Sequence, residues 1–349
     1  MSMLAELAEV VIGVDTHKET HSAAILDTRT GAVLDRVTVS ADPDGYTALI
    51  ALAEQHSGLR AWALEGSGGY GAGLTRHLAD ADELVVELDR PQRPVRRSGA
   101  KSDAIDAERA ARDALARTRL AQPKTGAQRA ALQIRLTARR AAVEAGADAQ
   151  RQLHALVITA PEPVRARFRG QSTRIMLVTA TRLRPAAVTN VEVFTCLSVL
   201  RDLARRVRFL EAEAAAHEKA IRAIVRSWRP ELLALTGVGP IVAATVLTAW
   251  SHPGRCRNDA AFAMLAGAAP IPASSGKIVR HRLNRSGDRQ LNRALHTIVL
   301  TRLKQDERTQ AYAERRRAQG RTDREIKRCL KRYIAREIYR RLETTPSTS

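Results

Sequence analysis

The chain has 349 residues, 44% of them hydrophobic, which is enough apolar material for two or three domains with their own cores. Its 57 Lys and Arg exceed 37 Asp and Glu by 20, pointing to a polyanionic partner, while only 3% aromatic residues argue against the stacking platforms of single-strand and RNA-sheet binders. The cysteines Cys196, Cys256 and Cys329 are far apart, with no CxxC or Cys/His cluster, so neither a disulfide framework nor a zinc site is supported and a reducing cytoplasm fits.

Val10-Val11-Ile12-Gly13-Val14-Asp15 is a run of strand formers that ends on one carboxylate and is followed by polar Thr16, His17 and Lys18. His21 to Asp27 and Val33 to Val39 read as the second and third strands of a meander. Asp42 to Gln55 has helical spacing, and Leu59 to Glu65 returns to strand and again ends on an acid. Tyr70 to Leu78 reads as helix, Leu84 to Leu88 as strand and Ser102 to Ala116 as helix. The order β-β-β-α-β-α-β-α is the ribonuclease-H-like α/β pattern, and it lays the fourth strand parallel to the first, so Asp15 and Glu65 end side by side. Asp103 and Asp106, three apart at a helix start, share one face. Four acids from three elements can thus converge. Packed carboxylates repel unless cations neutralise them, so the cluster asks for hard, oxygen-liking metals such as Mg²⁺ or Mn²⁺. A pair of such ions suits phosphoryl transfer. A plainer reading stays open: Asp15 caps a turn, Asp103 is an N-cap and Asp106 sits in the first turn, where carboxylates suit the helix dipole.

Gly66-Ser67-Gly68-Gly69-Tyr70-Gly71 matches G-x-G-x-x-G after a strand, with Glu87 about 20 residues on, so a dinucleotide fold is a rival. Against it stand Glu65, which would set a negative charge beside a pyrophosphate, and the upstream meander.

Ala127 to Val157 is Ala-rich and helical with a ragged apolar register, interrupted by Pro161 and Pro163. Cys196, Leu200, Leu203, Val207, Leu210, Ala214, His217, Ile221 and Ile224 alternate steps of four and three, a coiled-coil seam expected to assemble protomers. His217 reads as a packed residue of that seam. Leu232 to Ser251, the longest uncharged run, is broken by Gly237, Gly239 and Pro240, so no membrane span is expected. The stretch around Gly237-Val238-Gly239 reads as helix, tight hairpin, helix, either a phosphate-holding helix-hairpin-helix or a plain core hairpin. Next come Ser274 and Ser275 on a Pro- and Gly-flanked loop, beside Lys277, Arg280, Arg282 and Arg285, which can hold a phosphate against a hydroxyl nucleophile. From Ser274 to Leu342 there are 21 Lys or Arg against 7 Asp or Glu, leaving +14 of the net charge in this stretch, with Arg289 and Arg293 among its helical positions.

Val-Ile-Gly-Val-Asp-Thr-His-Lys (11–18), Leu-Glu-Gly-Ser-Gly-Gly-Tyr (64–70), Lys-Ser-Asp-Ala-Ile-Asp-Ala (101–107), Leu-Thr-Gly-Val-Gly-Pro (235–240), Pro-Ile-Pro-Ala-Ser-Ser-Gly-Lys (270–277) and Arg-Gln-Leu-Asn-Arg-Ala-Leu (289–295) together resemble the DEDD transposases of bridge-RNA-guided insertion sequences, nearly end to end. The resemblance implies a DEDD catalytic domain like a Holliday-junction resolvase over 1–120, a helical coiled-coil domain over 121–226 and a mainly α C-terminal transposase domain over 227–349. It implies that Asp15, Glu65, Asp103 and Asp106 bind the metals and that Ser275, or its neighbour Ser274, is the nucleophile of a covalent phosphoserine step. It further implies donor and target double-stranded DNA, a structured non-coding guide RNA and a homo-oligomer, dimer or tetramer, in the bacterial cytoplasm at the nucleoid. A junction nuclease that needs the acids but not the serine, and a non-enzymatic nucleic-acid-binding scaffold, are the alternatives from other classes.

Overall fold

The computed structural model describes residues 3–88, 103–118, 120–187, 189–273, 281–284 and 286–344. Residues 1–125 and 126–349 form two units.

In the first unit β1 (Val10–Thr16), β2 (Thr20–Asp27), β3 (Val33–Ser40), β4 (Arg60–Glu65) and β5 (Leu84–Leu88) make one sheet in the order β3-β2-β1-β4-β5. β2 is antiparallel to β1 and β3, whereas β4 is parallel to β1 and β5. With helices α1 (Pro43–Glu54), α2 (Ala72–Asp80) and α3 (Asp103–Ala116) this is the expected ribonuclease-H-like α/β order. A dinucleotide fold is ruled out, because the glycine loop follows the fourth strand of a sheet whose first three strands run antiparallel.

β1 lies mid-sheet and is buried on both faces, which is why its sequence is a continuous apolar run rather than an alternation. Ile12, Val14, Trp62 and Leu64 pack against Tyr46 and Leu49 of α1 and Leu74 and Leu78 of α2. Val11, Ala61, Ala63 and Val86 take the opposite side with Ala107, Ala110, Ala111 and Ala114 of α3. That face of α3 is all alanine, and it meets a glycine: a Cβ built on Gly13 would lie 2.1 Å from the Ala107 carbonyl oxygen and 2.5 Å from the Ala111 nitrogen. The missing side chain lets the helix backbone rest directly on β1.

The second unit begins with α4 (Ala127–Thr159), followed by α5 (Thr173–Thr181) and the long α6 (Val191–Trp228). α4 and α6 pack antiparallel: Arg139 donates to Glu218 at 2.9 Å near one end, and Gly146, further along α4, faces Leu210, earlier in α6. Cys196, Leu200, Val207, Ala214 and Ile221 of the expected seam are buried, and Leu203, Leu210, His217 and Ile224 are half-buried. The seam was expected to need a second protomer to cover it. α4 of the same chain covers it instead, with Leu132, Leu136, Ala149, Leu153 and Val157.

Beyond α6 come α7 (Pro240–Trp250), α8 (Asp259–Leu265), the two-residue strands β6 (Ile271–Pro272) and β7 (His281–Arg282), then α9 (Arg289–Gln305), α10 (Glu307–Ala318) and α11 (Asp323–Thr344). They share a core that includes Trp250, Phe262, Leu295, Ile298 and Ile338. The helix expected from Glu231 is a short 3₁₀ segment, Pro230–Ala234. Pro230 opens it and Gly237 turns the chain at φ 85°, which leaves too few residues for an α-helix before α7. Among the described residues no helix is long and apolar enough to cross a membrane.

Candidate active site

Asp15 stands at the C-terminal end of β1, two residues after Gly13, so its side chain leaves the sheet on the face that carries α3. Because Gly13 brings α3 onto the strand, the first turn of that helix, with Asp103 and Asp106, lies over the strand end. His17 joins them, its Nε2 lying 3.1 Å from Asp15 Oδ2 and 3.4 Å from Asp103 Oδ1. One donor atom from each of Asp15, His17 and Asp103 lies within 4.8 Å of the other two.

Burial raises the Asp15 carboxyl above its ordinary proton affinity, His17 opposes the rise, and the charges of Asp106 and Asp103 add to it. The acids are therefore close enough to repel, and a cation between them relieves that cost. Two carboxylate oxygens and an imidazole nitrogen at these separations form a donor set for a divalent cation. Asp106 also accepts from Arg109 at 2.9 Å.

Glu65 ends β4, and the register Gly13↔Ala63 puts it on the same sheet face as Asp15. Its backbone carbonyl accepts from Thr16 Oγ1 at 3.1 Å, which ties the two strand ends together. Its carboxylate is outside the close group of Asp15, His17 and Asp103. The structure thus brings Asp15 and Asp103 into contact range through His17, sets Asp106 near enough for its charge to act on Asp15, and leaves Glu65 on the same sheet face outside that group.

His17 is the member that sequence reasoning passed over. The signal was present, since residues 15 and 17 share a face of an extended chain. In the glycine loop, Ser67 Oγ donates to Glu87 Oε1 at 2.8 Å, which engages the acid that a dinucleotide ribose would need.

In the second unit Ser274, Ser275, Lys277, Arg280 and Arg285 lie outside the described residues. Arg282 on β7 and Arg289 and Arg293 on α9 line one cleft of about 810 Å³. Three of the basic residues expected to meet nucleic acid therefore share a concave surface.

Residues 12–160 match a transposase family model, that of the DEDD transposases of IS110 elements. Residues 230–314 match a second model, described as transposase, IS116/IS110/IS902 family. The first span holds all four acids, and the second holds both serines together with Arg282, Arg289 and Arg293. No curated protein matches the chain.

Proposed function

The chain belongs to the IS110 family of DEDD transposases, and from that premise we propose that it is the recombinase of an insertion sequence, cutting and joining DNA strands through a phosphoserine at Ser275 with Mg²⁺ or Mn²⁺ held by Asp15, Glu65, Asp103 and Asp106. The observation that carries the reading is the convergence of Asp15 and Asp103 on His17 at the end of β1. When bound, the metal supplies positive charge to the oxygens of the scissile phosphate and lowers the proton affinity of a hydroxyl nucleophile. The chain's own groups do the rest. Asp15 and Asp103 offer the oxygen ligands, and Asp106 and Glu65 complete the negative field at the strand ends. Arg282, Arg289 and Arg293 hold backbone phosphates, with Lys277, Arg280 and Arg285 contributing beside the serine. Ser275 Oγ attacks phosphorus, a new Oγ–P bond replaces one P–O bond to a sugar, and the freed sugar hydroxyl takes the proton. The retained phosphodiester energy then allows a second DNA end to displace the serine.

In this reading residues 1–120 are the DEDD domain, 121–226 the coiled-coil domain and 227–349 the transposase domain. Acids of one protomer serve the serine of another within a dimer or tetramer. A structured non-coding RNA of the element selects donor and target DNA, and the reaction runs in the bacterial cytoplasm at the nucleoid. Covalent trapping tests the chemistry. With labelled DNA, a denaturing gel should show protein joined to DNA, and Ser275→Ala should abolish that species. Metal-dependent cutting without an adduct would identify a junction nuclease instead, and binding without cutting a scaffold.

A further inference from the structure

The 810 Å³ cleft has two walls whose chemistry differs from that of an ordinary basic surface. Asn292 and His296, four apart on α9, face it together, and Arg328, Lys331 and Arg332 face it from α11. Lys331 is half-buried, and its Nζ donates to Asn292 Oδ1 at 2.7 Å. Asn292 Nδ2 in turn donates to the Ala266 carbonyl at 2.7 Å, which fixes the amide with its oxygen toward the ammonium.

No carboxylate among the described residues pairs with Lys331, Arg289 or Arg293. The acids nearby are committed elsewhere. Asp288 caps α9 by accepting from the nitrogens of Gln290 and Leu291 at 2.8 and 3.0 Å. Asp259 takes Arg336 at 2.7 Å and Arg332 at 3.6 Å. His296 Nδ1 is buried without a partner among the described residues. Burial lowers the proton affinity of both groups, and at His296 the charges of Lys331 and Lys327 add to that. An ammonium tied only to a neutral amide, in a cleft lined by guanidinium groups, lacks an anion.

We propose that Lys331, oriented by Asn292, is the floor of a phosphate site in which one backbone phosphodiester of DNA binds to Nζ while Arg289 and Arg293 hold its flanks. This rests on the chain's action on DNA and not on the serine chemistry. A lysine that merely pinned α11 to α9 would need no anion and would leave DNA binding untouched.

The test uses the full chain carrying Ser275→Ala, so that no covalent step contributes. Binding of a short labelled duplex is followed by anisotropy across a range of salt, with Lys331 intact, as Lys331→Met and as Lys331→Arg. Loss of one phosphate contact should lower the log-log salt slope by about one, so that the affinity lost over a fourfold rise in salt shrinks roughly fourfold. Lys331→Arg should keep the slope. In the parent chain, saturating duplex should protect Lys331 from an amine-reactive label read by mass spectrometry, a readout that does not depend on any variant folding. An unchanged slope in a folded Lys331→Met chain, or undiminished labelling of Lys331 under duplex, would overturn the proposal. An effect confined to RNA of the same sequence would overturn its assignment to DNA. Failure of the adduct experiment with the Lys331 effect intact would remove the serine reading alone.

Discussion

Gly13→Ala is the smallest change that should dismantle the acid cluster without touching any acid. The added Cβ would sit 2.1 Å from the Ala107 carbonyl oxygen, and ordinary contact begins near 3.4 Å, so the α3 backbone has to retreat by about 1.3 Å. The obstacle is main chain, and no rotamer relieves it. Overpacking of this kind costs about 1–3 kcal/mol. For a unit of 125 residues that is a fall in melting temperature of roughly 4–12 °C. The same retreat carries Asp103 and Asp106 away from Asp15, and a misplacement of about 1 Å in a catalytic constellation costs on the order of 100-fold in rate. Melting followed by circular dichroism and cleavage of DNA bearing the element's ends measure the two effects. Adding Ala111→Gly should not rescue either, because the closest clash is with a backbone oxygen. A Gly13→Ala chain that melts and cleaves like the parent would refute the idea that this contact positions the acids.

Two further outcomes follow from the same geometry. Glu83 is nearly buried and accepts from Arg60 Nε at 2.9 Å and Trp62 Nε1 at 2.8 Å; burial alone would raise its carboxyl, but these two partners hold it below the usual range. Its stabilising contribution is therefore present above the unfolded value of 4.5 and is lost as pH falls through the depressed folded value, so Glu83→Gln should cost about 2–4 kcal/mol at neutral pH and leave a flatter acid limb in melting against pH. Replacing Arg282, Arg289 and Arg293 together by Ala should lower the salt slope of DNA binding by about three for all sequences alike, and a slope that stays put would place the nucleic acid on another surface.

How much of this was legible in the sequence differs by element. β1 and its terminal acid could be read because burial on both faces writes a continuous apolar run, and the order of strands and helices followed from periodicity alone. The pairing of α4 with α6 could not. On α6 the seam is spelled in Leu, Val and Ile, but much of the matching face of α4 consists of Ala142, Gly146 and Ala149, small residues that carry little hydrophobic signal although they allow close approach. Seen alone, the α6 seam looked unpartnered, and a second protomer was the natural inference. His17 was hidden for another reason: a polar residue past a strand end acquires its role only when α3, distant in sequence, arrives. Lys331 is one of many cations in α11, and Asn292 across the cleft sets it apart.

Binding of Mn²⁺ to the full chain, followed by its electron paramagnetic resonance signal in the absence of DNA, tests the metal site most directly. Saturable binding that is lost in Asp15→Asn and in Asp103→Asn, each with unchanged circular dichroism, is the predicted result. Equal Mn²⁺ binding by the parent and both variants would contradict it.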